Sequence, residues 1–166
     1  LAHRLRTRRA LCGPAVLRCR GAIALGCAEP VRRSAIAAAR EKGRGDGVLA
    51  DEVATRAMRD RLNDLEINGR IVTGEGEKDN RDVESMLELR ERVGNTASPI
   101  VDIAVDPLEG TSLTENNQPG GLSVLAGAVH DDGFLVELPP AYYAHKLAVG
   151  FPDAHHVISL DTTVSE

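Results

Sequence analysis

The sequence predicts a layered α+β fold, with helices on one face of a mainly antiparallel sheet. Two observations carry this. Segments with apolar residues at helical spacing come first, and a series of short apolar runs bounded by glycine, proline and aspartate follows, with one helical segment inserted. The length of 166 residues fits one domain, and at 42% apolar the chain can bury a core. Only 2% is aromatic and Trp is absent, so Leu, Val, Ile and Ala must fill that core.

Residues 34–42, Ser-Ala-Ile-Ala-Ala-Ala-Arg-Glu-Lys, are rich in good helix formers and predict the first helix. Gly43-Arg-Gly-Asp-Gly47 ends it in a loop. A second helix is expected from Asp51, placed as an N-cap, to about Leu62, because Ala54, Ala57, Met58 and Leu62 recur at helical spacing. Gly69 reads as a turn, and Arg70–Thr73 as a short strand running into Gly74-Glu-Gly-Glu77. Residues 82–92 read as the inserted helix. Ile100–Val105 reads as a strand that Pro107 stops, and Gly121–Val129 as a further apolar run. Asp131-Asp-Gly133 predicts a hairpin-type turn into Phe134–Leu138, and His145–Val149 and His156–Leu160 read as further strands.

Charge is unevenly spread. Residues 1–33 hold eight arginines and a single acid, Glu29, whereas the remainder has twice as many acidic as basic residues. With a net charge of -5, an acidic body suits a cation site better than a polyanion, and nucleic acid is not expected as a partner. No run of about 20 apolar residues exists, so no membrane span is expected. Cys12, Cys19 and Cys27 all lie in the basic stretch, at spacings that match no zinc pattern. That stretch reads either as a disordered leader or as a targeting segment; it is Arg-rich like a transit peptide but has no Ser before Ser34. The working division is thus a leader over 1–33 and a folded portion over 34–166. The location is expected to be cytoplasmic, or an organelle if the leader is a transit peptide.

The most informative stretch is Ile100-Val-Asp-Ile-Ala-Val-Asp-Pro-Leu-Glu-Gly-Thr111. Asp106 and Glu109, a flexible Gly110 and the Thr111 hydroxyl crowd the end of one strand. Oxygen donors of this kind suit a hard cation such as Mg²⁺, which is commonly shared between carboxylates and a substrate phosphate. The competing reading is a proline turn with solvated acids. Gly74-Glu75-Gly76-Glu77 repeats the pattern at a second strand end, as a cation-approaching carboxylate or a polar surface loop. Asp51 is either a helix cap or a third carboxylate that orients an attacking water. His155-His156 reads as solvated surface.

Asp51-Glu52, Val72–Glu77 and Val101–Thr111, with Gly43–Asp46 upstream and Tyr143-Ala-His-Lys-Leu147 downstream, resemble the class II (GlpX-type) fructose-1,6-bisphosphatases in order and spacing. The resemblance runs from about Ala35 to about Gly150. It implies the helix/sheet sandwich of the sugar-phosphatase (lithium-sensitive, metal-dependent) type, present here as an incomplete, N-terminal half. It also implies hydrolysis of the 1-phosphate of fructose 1,6-bisphosphate in gluconeogenesis, and an oligomeric full-length form. By motif, Asp51, Glu75, Asp106 and Glu109 resemble the Mg²⁺ or Mn²⁺ ligands. Asp51 and Thr111 resemble the groups that position the attacking water, and Glu109, Gly110, Thr111 and Tyr143 resemble the substrate contacts. Gly47 stands where many members carry Lys, and Pro140–Tyr143 departs from the usual acidic, Met-containing segment. Family members are about twice as long, so this portion alone is expected to turn over substrate poorly. The alternatives are a sedoheptulose-bisphosphate or inositol-phosphate phosphatase, or a non-catalytic remnant of the fold.

Overall fold

The computed structural model describes residues 14–74, 86–130, 133–137 and 159, with residues 14–25 described as helix backbone only. Helices α1 (Pro14–Arg40) and α2 (Gly47–Asn63) precede β1 (Asn68–Thr73), β2 (Arg92–Val93) and β3 (Ile100–Glu109). A short α3 (Thr111–Glu115) and β4 (Leu122–Val129) follow. The sheet order is β2-β1-β3-β4. β1 and β3 are parallel, and the β1–β2 and β3–β4 pairings are antiparallel. The α+β class therefore holds, with a mixed sheet.

The core sits between α2 and the sheet. Met58 and Leu62 pack with Ile71, Val93 and the alternate β3 residues Val101, Ile103 and Val105. A second cluster, Ala38, Ala50, Ala54 and Leu108, lies where α1 meets α2 and the end of β3. Its small side chains let the two helix backbones approach closely. Among the described residues no helix is long and apolar enough to cross a membrane.

Several sequence expectations are corrected. The helix over 34–42 is only the end of α1, which begins at Pro14 inside the basic stretch. Arginine and alanine are both good helix formers, and Glu29 pairs with Arg32 and Arg33 one turn on. The N-cap of α2 is Asp46, not Asp51: the Leu49 amide donates to its carboxylate at 2.9 Å. Gly69 is no turn but a strand residue, paired with Val93 and Val101. A Cβ there would stand 2.6 Å from Val93 Cγ2 and 2.9 Å from Ile103 Cδ1.

The inserted helix is absent from the described part of 82–92. Leu87 is fully buried at positive φ, and the Arg90 amide donates to the Ile71 carbonyl at 2.7 Å, so this backbone bonds to β1 and makes a turn instead of a helix. β3 does not stop at Pro107 but continues to Glu109, and α3 follows it unforeseen. Residues 134–137 form no strand, and Phe134 and Val136 are exposed. The expected strands 145–149 and 156–160 lie outside the described residues except for Ser159, which is not in a strand.

Candidate functional site

The C-terminal end of β3 is built around a bulge. Asp106 pairs with Val124 and Glu109 pairs with Leu122, so three steps on β3 match two on β4. Val124 and Leu122 are two apart and share a face of β4; their partners therefore share a face of β3. In a regular strand Asp106 and Glu109 would point to opposite faces. The extra residue brings both carboxylates to one side, and it accommodates Pro107, which has no amide to give to a ladder. The same parity change turns Leu108 toward the alanine cluster of α1 and α2.

Gly110 follows at φ 83, a left-handed conformation that an L side chain adopts only with strain. It reverses the chain into α3, whose Leu113 and Thr114 amides donate to its carbonyl. The Thr111 hydroxyl donates to the Leu108 carbonyl at 3.3 Å, which fixes the side chain half-buried beside the strand end.

The start of α2 is pressed against this junction. Gly43 and Gly45 donate amide hydrogens to the carbonyls of Thr114 and Glu115. A Cβ on Gly47 would stand 2.5 Å from Glu115 Oε2 and 2.9 Å from Thr111 Cγ2, so glycine suits this contact. Farther along α2, the buried Ser34 hydroxyl of α1 shares its proton between the carbonyls of Ala54 and Pro107, at 3.0 and 2.9 Å. Asp51 lies between these two contacts, on the same helical stripe as Gly47, Ala54 and Met58. The second turn of α2 therefore faces the β3–α3 junction, and Asp51 is half-buried there. Both Asp51 and Asp106 are engaged by other groups of the protein.

Of the residues singled out from sequence, the structure thus brings Asp106 and Glu109 to one face and sets Gly110 and Thr111 directly after them. It places the turn carrying Asp51 against the same junction. Glu75 and Tyr143 lie outside the described residues, as does His155-His156. The oxygen-only donors fit a hard cation in kind. Among the described residues, however, no three His, Cys, Asp or Glu side chains group closely enough to hold a metal ion. Two residues that matter here, Ser34 and Asp102, were given no role from the sequence. The signal for Asp102 was its position in Val101–Asp106, where alternation puts it on the same face as Asp106.

A model of the bacterial, glpX-encoded fructose-1,6-bisphosphatases matches residues 22–166. The chain belongs to this class II family. The match begins upstream of Ala35 and ends beyond Gly150, so it takes in part of the basic stretch, where α1 is already helical. A relative from Prochlorococcus marinus MIT 9303, a D-fructose 1,6-bisphosphatase class 2/sedoheptulose 1,7-bisphosphatase, is 44% identical over 138 residues. These cover 83% of this chain and 39% of that protein. The protein of the same description from strain AS9601 is 47% identical over 120 residues, covering 72% of this chain and 34% of its own length. The chain therefore spans between a third and two-fifths of the curated relatives it matches.

Proposed function

We propose that this chain carries the metal-binding part of an enzyme that hydrolyses the 1-phosphate of fructose 1,6-bisphosphate to give fructose 6-phosphate. The observation that carries the reading is the bulge that aligns Asp106 with Glu109 in a member of this family. In this reading the chain has the layered sandwich of the sugar phosphatases. Asp51, Glu75, Asp106 and Glu109 hold Mg²⁺ or Mn²⁺. Bound cations of this kind neutralise phosphate oxygens and make a bound water more acidic.

The protein's own groups do the positioning. Glu109, placed by the bulge beside Asp106, turns its carboxylate to the same side. Gly110 presents backbone with no side chain in the way, so a phosphate ester can approach the strand end closely. The Thr111 hydroxyl, held by the Leu108 carbonyl, has lone pairs left to accept from a water, and Asp51 on the facing helix turn orients that water with it. Tyr143 completes the sugar contacts. Groups fixed before substrate arrives are the main source of rate in such a site. Oligomerisation and a cytoplasmic location complete the proposal. Sedoheptulose 1,7-bisphosphate is the second substrate to test, because the relatives' names include it.

The test is a chimera in which residues 22–166 replace the matching part of the MIT 9303 protein, assayed for phosphate release with Mn²⁺ and with Mg²⁺. Metal-dependent release from fructose 1,6-bisphosphate, abolished by Asp106→Asn, is the expected result. Folded chimera without release from either bisphosphate would reject the reading.

A further inference from the structure

β1 and β3 are adjacent and parallel, and no hairpin joins them to set their register. The apolar pattern does only half of that task. Ile71 on β1 and Val101, Ile103 and Val105 on β3 face the helices, so a slip of one residue would turn the wrong face inward. A slip of two residues would keep every apolar side chain on its face. It would also shift the end of one strand past the other by about 6.6 Å.

A buried charge opposes that slip, beside the irregularity that β1 carries between Ile71 and Thr73. Asp102 is 0% exposed and is the direct register partner of Arg70. Arg70 donates from Nε and Nη2 to its Oδ1, at 3.1 and 2.8 Å. The other oxygen, Oδ2, is buried without a hydrogen bond among the described residues, with His130 Nδ1 at 3.5 Å. The two positions on β1 that a two-residue slip would offer Asp102 are Asn68 and Val72, neither of them a cation. Withdrawing one partner of such a pair is strongly unfavourable, and His130, 3.5 Å from Oδ2, would be the basic group left beside the carboxylate. Ile103 Cδ1 seated over Gly69 marks the same register independently.

We propose that the Arg70–Asp102 pair is a register lock, a positioning device that sets the relative heights at which β1 and β3 deliver Gly74 and Asp106 to the site. The lock rests on the functional reading above only for its consequence; the register itself is measurable without activity.

The test uses the protein at its full natural length and the double variant Arg70→Met/Asp102→Leu. Replacing a buried ion pair by apolar side chains commonly preserves folding. The expected result is a folded protein with cross-strand contacts between β1 and β3 shifted or averaged in NMR spectra. Mn²⁺-induced broadening of the Asp106 and Thr111 amides should need about tenfold more metal, and kcat should fall about a hundredfold or more while KM changes less than about twofold, the scale of a site misplaced by about 1 Å. Asp102→Asn, which keeps the shape, serves if the double variant does not fold; it should speed hydrogen exchange at Ile103, whose amide faces β1, more than at Ala104 and Ala126, which pair β3 with β4. Met58→Ala is the structural control: it should lower the unfolding temperature and leave kcat unchanged. Native cross-strand contacts and native Mn²⁺ response in the double variant, or unaltered exchange in Asp102→Asn, would overturn the lock. A full-length wild type that shows native register but no metal-dependent hydrolysis would reject the functional reading and leave the lock standing.

Discussion

Ser34 offers the most direct perturbation of the site's scaffold. One buried hydroxyl joins three elements, reaching the Ala54 carbonyl of α2 and the Pro107 carbonyl of β3 from α1. The Ala54 carbonyl, inside a helix, also has an intrahelical amide to accept from; the Pro107 carbonyl, at a bulge, depends more on Ser34. Ser34→Ala removes one oxygen and introduces no clash. The cost lies between the net worth of a hydrogen bond and the full penalty of a dry carbonyl, so about 2 kcal/mol. For a chain of this size that is a drop of about 4–8 °C in melting temperature. With a urea dependence of about 2 kcal/mol per molar, the unfolding midpoint falls by about 1 M at unchanged slope. Urea titration followed by far-UV circular dichroism measures it. A midpoint within about 0.2 M of wild type would show that water or another donor serves Pro107, and the three-way tie would have to be abandoned.

Two further outcomes are expected. Gly74→Ala places a Cβ on the carbonyl oxygen of Leu87 and 2.9 Å from Ile71 Cγ2. Because the first obstacle is backbone, the overpacking should cost about 2 kcal/mol or more, read as a lower urea midpoint, and a neutral substitution would contradict this packing. Glu29 is held down to a pKa of about 2, chiefly by hydrogen bonds from Arg32 and Arg33. Its folded value is thus below the usual 4.5, so its contribution to α1 is complete above that pH and fades as pH falls toward about 2. A carboxyl chemical-shift titration that gives Glu29 an ordinary midpoint would contradict the pairing, whereas the matching loss of helix signal should vanish in Glu29→Gln.

Much of the fold was legible where local pattern and tertiary environment agree. Helical spacing over Ala54, Met58 and Leu62 marked the core stripe of α2, and the apolar runs around Ile103 and Leu125 marked β3 and β4. Residues 82–92 misled because their apolar spacing reads as helical, while in the structure Leu87 is drawn into the core and Arg90 bonds to β1. Residues 34–42 read as a helix for their good helix formers, which gave Ser34 no role of its own; within α1 it serves a contact 73 residues away. Gly69 read as a turn because glycine marks turns and tight packing alike, and only its neighbours show which applies.

The sequence by itself determined which chemistry is available: oxygen donors at strand ends, a glycine and a hydroxyl beside them, and an acidic body without cysteine beyond residue 27. These follow from residue type and order along the chain, which survive in any conformation. Only the tertiary structure decided that Asp106 and Glu109 share a face, because strand parity depends on a bulge counted against β4. It alone revealed that Asp102 is paired with Arg70 across a parallel register. It alone set the Asp51 turn of α2 against the same junction, through contacts from Gly47 and Ser34. Such relations join residues far apart in the chain, and they exist only once burial and hydrogen bonding have fixed which strands and helices are neighbours.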